Sequence, residues 1–138
     1  MAEILWRPKN IHSTHMMKFM NHVNNVYDSH LKSYQDLHNW SIKNIPDFWK
    51  EVWNQSEIIH SNTYTDIVDD PNKIPGAKWF SGSRLNFAEN LLRYRNDHIA
   101  IYAKAENLPL RSITYNELFK QVEALAHSLK SLGVKEGD

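Results

Sequence analysis

The chain has 138 residues, enough for one domain with a sizeable core, and its 41% hydrophobic and 12% aromatic content is globular in type. Lys and Arg number 16 and Asp and Glu also 16, so no net charge draws the chain to nucleic acid or to an anionic membrane. Cysteine is absent, which excludes a disulfide scaffold, a thiol nucleophile and a zinc-thiolate site.

The N-terminus, Met1 to Pro8, has neither the basic head nor the apolar stretch of a signal peptide. No window approaches the roughly 18 apolar residues of a membrane span, so a soluble cytoplasmic protein is expected. The first periodic segment runs from about Ser13 to Leu31. Met16, Phe19, Met20, Val23, Val26 and Tyr27 recur there at three- and four-residue steps on one helical face, behind Ser13 or Thr14 as N-cap. A second helix starts near Ser33, with Asp36 three residues on as a capping box, and turns Tyr34, Leu37 and Trp40 inward. Pro46 suits the first turn of a third helix, whose apolar stripe is Phe48, Trp49, Val52 and Trp53.

From Ser56 to Lys78 the periodicity fails. Tyr64 to Val68 reads as a short strand, and Asp69 to Gly76 as turn and loop. Asn86 and Glu89 form an N-x-x-E cap for a helix from about Phe87 to Tyr94. After a turn at Asn96-Asp97, Ile99, Ile101 and Ala103 alternate with His98, Ala100 and Tyr102 as a strand. A hairpin loop at Asn107-Leu108-Pro109 leads to a second strand, Leu110 to Ile113. Thr114 and Glu117 make a capping box for the last helix, whose Leu118, Val122, Leu125, Leu129 and Leu132 form a long stripe expected to be buried. Gly133 takes the left-handed position beyond the helix end. An amphipathic helix of this length needs a partner surface, and a Gly-Asp turn at the end reads as the approach to a further strand. The chain therefore reads as the threshold of a larger α/β domain.

Each residue type that invites a functional role also has a plainer structural explanation. Trp79 and Phe80 are expected to lock layers together, and Asn86 to cap a helix. Among the 8 histidines, His12 and His15 alone have chelating spacing, and no third ligand stands at a zinc-like offset. His38 beside Trp40-Ser41 reads as packing at a helix end. Lys78, Arg84, Arg93 and Arg95 are interspersed with Glu89 and Asp97, which blunt any basic field.

The run Trp79-Phe80-Ser81-Gly82-Ser83-Arg84-Leu85-Asn86-Phe87-Ala88-Glu89-Asn90 resembles the acetoacetyl-CoA synthetase branch of the acyl-CoA synthetases, with Phe87 and Ala88 favouring it over the acetyl branch. Trp6-Arg7-Pro8, Tyr34-x-x-Leu37-His38-x-Trp40-Ser41 and Phe48-Trp49-x-x-Val52 extend the likeness. Ile113-Thr114-Tyr115-x-Glu117-Leu118 and Leu132-Gly133-Val134-x-x-Gly137-Asp138 are common to the wider adenylate-forming superfamily.

The resemblance implies an α+β chain. Residues 1–90 would be an N-terminal helical extension, and residues 91–138 the first β-hairpin and helix of a truncated adenylate-forming α/β domain. It implies a parent ligase that uses ATP, Mg²⁺ and CoA, and a small carboxylic acid as substrate. The remainder of the adenylating domain would be the partner, neither nucleic acid nor membrane is involved, and the fragment itself would tend to self-associate.

The family's Ser/Thr/Gly-rich phosphate loop needs closely spaced backbone N–H groups. The four glycines, Gly76, Gly82, Gly133 and Gly137, do not form one. No catalytic, cofactor-binding or metal-binding residue is therefore assigned, and the chain alone is expected to be inactive. A different class of reading is a free-standing, aromatic-rich protein-interaction module, and a small His-dependent metalloprotein ranks last.

Overall fold

The computed structural model describes residues 5–135 and 137–138. It contains mixed helix and small antiparallel strand pairs, in two compact units that divide between Arg84 and Leu85.

The first unit opens on a 3-10 turn, Ile11–Ser13, that runs into helix α1, His15–Tyr27. Thr14 is the N-cap, its Oγ1 accepting the Met17 N–H at 3.3 Å, which decides between the two expected caps. The helix stops at Tyr27 and does not reach Leu31. Asp28 turns left-handed at φ 49°, and the Asn24 amide clamps Leu31 by accepting its N–H at 2.9 Å and donating to its carbonyl at 3.0 Å. Met20 and Val23 meet Leu37 in a small core, with Phe19, Tyr27 and Trp40 packed against it. Met16 and Val26, expected on the inner face, lie at its edges and are exposed.

Helix α2, Tyr34–Lys43, begins at the expected capping box. The Ser33 hydroxyl accepts the Asp36 N–H at 3.2 Å, and Asp36 accepts the Ser33 N–H at 2.9 Å. Leu37 is buried and Trp40 packs on Tyr27 at 5.2 Å between ring centroids, but Tyr34, in the opening turn, is exposed. Helix α3, Ile45–Gln55, follows at once with Pro46 in its first turn, where a missing N–H costs no helical hydrogen bond.

Strand β1, Asp66–Val68, pairs antiparallel with β2, Trp79–Ser81, with Asp66 opposite Ser81 and Val68 opposite Trp79. The Asp69 carboxylate closes the intervening loop by accepting the Asp70 and Lys78 N–H groups, both at 2.8 Å. Gly82 leaves β2 at φ +83°, a left-handed conformation that favours glycine.

In the second unit, α4 spans only Phe87–Leu91. The Asn86 side chain accepts the Glu89 N–H at 3.2 Å, as expected, but the helix ends well before Tyr94. Strand β3, Ile99–Ala103, pairs antiparallel with β4, Arg111–Thr114. The register slips between Ile99 and Ile101, so Ala100 is an extra residue, a bulge that interrupts the expected alternation.

Helix α5, Tyr115–Ser131, starts on the expected capping box, with Glu117 N–H on Thr114 Oγ1 at 3.2 Å and Thr114 N–H on the Glu117 carboxylate at 2.8 Å. It ends in a Schellman motif. Gly133, at φ +92°, donates to the Lys130 carbonyl at 3.0 Å, and Val134 donates to that of Leu129 at 3.1 Å.

The expected burial of the leucine stripe is not observed. Leu118 and Val122 are half-buried over the hairpin, whereas Leu125 is 60% and Leu132 81% exposed. Two short strands are too narrow to cover a helix of 17 residues, about 25 Å long. Among the described residues, the buried hydrophobics are Met20, Val23, Leu37 and Leu92. That core is small for a chain of this length.

Candidate functional site

Three arrangements in the first unit bring chemistry-bearing or aromatic side chains together. The first is an aromatic layer between α3 and the β1–β2 hairpin. Trp53 meets Phe80 at 4.6 Å, Tyr64 at 5.3 Å and His60 at 5.6 Å, while Trp49 meets Trp79 edge-on at 5.9 Å. Phe80 holds a left-handed φ of 47°, which is uncommon for a bulky residue and costs on the order of 1–3 kcal/mol. Its stacking on Trp53 and Tyr64 offsets that cost. Trp79 and Phe80 thus join a helix to a hairpin. The sequence reading foresaw an anchor but missed that they form β2, because a three-residue strand has too little alternation to be seen.

The second arrangement was missed altogether. Glu51 lies on α3 at 3% exposure, facing α1. Its Oε2 receives His22 Nε2 at 2.7 Å and the Asn54 amide at 3.3 Å, and its Oε1 receives the Tyr27 hydroxyl at 3.0 Å. Burial pushes the Glu51 carboxyl up, but the hydrogen bonds from His22, Tyr27 and Asn54 outweigh it and hold the group below the ordinary glutamate range. Burial and the hydrogen bond to Glu51 push the Tyr27 phenol above its usual value, so it stays a donor at neutral pH. The signal in the sequence was weak: Glu51 stands among Trp49, Val52 and Trp53 on a stripe otherwise apolar. The network ties two helices with a buried anion.

The third is a cleft of about 430 Å³ between α1 and α3, floored by Phe19, Leu37, Phe48 and Val52 and edged by His15, Met16 and Lys18.

The remaining candidates stand apart. Asn86 caps α4, Ser41 donates to the His38 carbonyl at a helix end, and His12 lies in the 3-10 turn. Among the described residues no three His, Asp or Glu groups converge as a metal site. Lys78 and Arg84 belong to the first unit, Arg93 and Arg95 to the second. The Arg95 guanidinium lies 3.7 Å from the centre of the Phe119 ring, a cation–π contact.

The described glycines do not form a phosphate loop of the kind that a nucleoside triphosphate needs. Gly76, Gly82 and Gly133 each serve a separate turn, and the loop carboxylate of Asp69 is spent on backbone N–H groups.

Comparison with known proteins supplies the class. Residues 34–91 match the family model of the acetyl-coenzyme A synthetase N-terminus, which covers α2, α3, the β1–β2 hairpin and α4. The chain is 39% identical over 140 aligned positions to the acetoacetyl-CoA synthetase of Gallus gallus, covering 99% of this chain and 21% of that protein. It is 37% identical to a malonamoyl-CoA synthetase of Penicillium aethiopicum, with 99% and 20% covered. The structure matches the acetoacetyl-CoA synthetase of Streptomyces lividans with a TM-score of 0.80 at 32% identity, over 99% of this chain and 22% of the other. The chain as a whole thus resembles the acetoacetyl-CoA synthetases, and its family-model match is to a synthetase N-terminus. It spans about a fifth of the length of the curated relatives it matches.

Proposed function

We propose that the chain is the N-terminal structural segment of an ATP-dependent acetoacetate–CoA ligase. In the parent reaction, acetoacetate and ATP give acetoacetyl-adenylate and pyrophosphate, and the thiol of CoA then displaces AMP to form acetoacetyl-CoA. ATP, Mg²⁺ and CoA are cofactors or substrates of the parent, which is cytoplasmic. Residues 1–90 act as its N-terminal extension and residues 91–138 as the opening of its adenylating domain. The segment holds no catalytic residue and is inactive alone; its partner is the remainder of the adenylating domain.

One observation carries this reading: likeness to these synthetases runs through nearly the whole chain, at a level that sustains a common fold. The relatives support a substrate class. Acetoacetate and malonamate are both short acids with a carbonyl β to the carboxylate, and the chain resembles their two ligases about equally. A short acid of this type is therefore the proposed substrate, and the residues that choose among such acids lie outside the segment.

The test is a chimera in which residues 1–138 replace the matching fifth of the Streptomyces lividans enzyme. The chimera is expected to release AMP only when acetoacetate, ATP and CoA are all present, and the 138-residue chain to release none. A folded but inactive chimera, or turnover by the chain alone, would overturn the proposal.

A further inference from the structure

The cleft between α1 and α3 has an apolar floor of Phe19, Leu37, Phe48 and Val52 and a rim that carries His15 and Lys18 one helical turn apart. No Asp or Glu lines it, although the chain has as many acids as bases. Among the described residues Lys18 has no carboxylate within ion-pairing distance, and Met16 beside it is 51% exposed. The relatives are about five times longer than this chain, so most of the polypeptide of such a synthetase lies outside it.

On the reading that the chain is part of such a ligase, we infer that this cleft is a docking slot. Its occupant is a segment of the synthetase outside residues 1–138 that presents apolar side chains to the floor and a carboxylate to Lys18. The apolar floor supplies the driving force, and the basic rim supplies register and selects the acidic partner. About 430 Å³ is room for a few side chains and too little for a folded layer, so the occupant is a short anchor in the helix-in-groove or extended manner.

Methionine oxidation reports the contact directly, with Met16 on the rim and buried Met20 as reference on the same helix. Hydroxyl-radical labelling of the isolated chain and of the active chimera is the comparison. Met16 is expected to oxidise several-fold more slowly in the chimera, approaching the rate of buried Met20, because oxidation follows exposure. Lys18→Glu should return Met16 to the rate of the isolated chain, whose helix content this exposed substitution leaves unchanged.

Equal Met16 rates in the isolated chain and an active chimera would overturn the inference while leaving the ligase reading intact. Protection that survives Lys18→Glu would also overturn it, because the occupant then has no carboxylate there. Protection that appears in the isolated chain and rises with its concentration would assign the slot to a second copy.

Discussion

Glu51 is the residue on which the first unit turns. A buried carboxylate is tolerable only when its charge and lone pairs are met, and here a histidine, a phenol and an amide do so. Glu51→Ala is expected to destabilise the chain by about 2 kcal/mol, the cost of leaving buried partners unpaired, moderated because His22 reaches solvent. A urea titration measures it, and a loss no larger than that of an exposed control such as Lys50→Ala would refute the role given to Glu51.

The pH dependence has a definite sign. The folded-state value of Glu51 is depressed, so its contribution is present above the unfolded glutamate value of about 4.3 and lost as pH falls through the folded value. Melting temperatures of wild type should therefore fall more steeply below about pH 4.3 than those of Glu51→Gln, and parallel curves would count against a buried anion. Sequence reading misses such a residue because burial of one polar group depends on what faces it, and two of its three partners stand 29 and 24 positions away.

Among the elements, those built from local signals were legible. The capping boxes at Ser33 and Thr114, the cap at Asn86, Pro46 in a first turn and Gly133 at a helix end all act within a few residues of chain, and each is found where the sequence puts it. Thr114→Ala should cost about 1 kcal/mol and show as loss of helical circular dichroism from α5, with Thr114→Ser restoring most of it. Gly133→Ala forces a left-handed conformation on an L-residue at φ +92° and is expected to cost about 1–2 kcal/mol, whereas Gly133→Asn should cost less. If both substitutions melt alike, the Schellman geometry is not what ends α5. Elements set by distant pairing were read unevenly: β1 falls within the expected strand from Tyr64 to Val68, but β2 and the bulge at Ala100 were missed. β1 and β2 are three residues each and define one another across a long loop, and the bulge at Ala100 exists only relative to β4.

For the whole molecule, the decisive fact is apolar surface that the described residues leave exposed. Leu125, Leu129, Leu132 and Val134 in the second unit stay exposed after their helix has docked on its hairpin. Such a patch favours association, so the 138-residue chain is expected to self-associate as its concentration rises. Leu125→Lys with Leu129→Lys should shift it toward monomer in size-exclusion chromatography with light scattering. Identical monomeric elution of both proteins would mean that the face is not sticky and would weaken the case for a missing layer.

Sequence alone determined where the helices lie and most of their caps, the hairpin before α5 and the resemblance to acetoacetyl-CoA synthetases, because these rest on short-range periodicity, capping chemistry and a run of consecutive residues. Tertiary structure alone decided that Glu51 is a buried anion, that Trp79 and Phe80 form a strand, and that the leucine stripe is uncovered. Burial is a property of what packs against a residue, and for α5 the described residues supply only part of that surface.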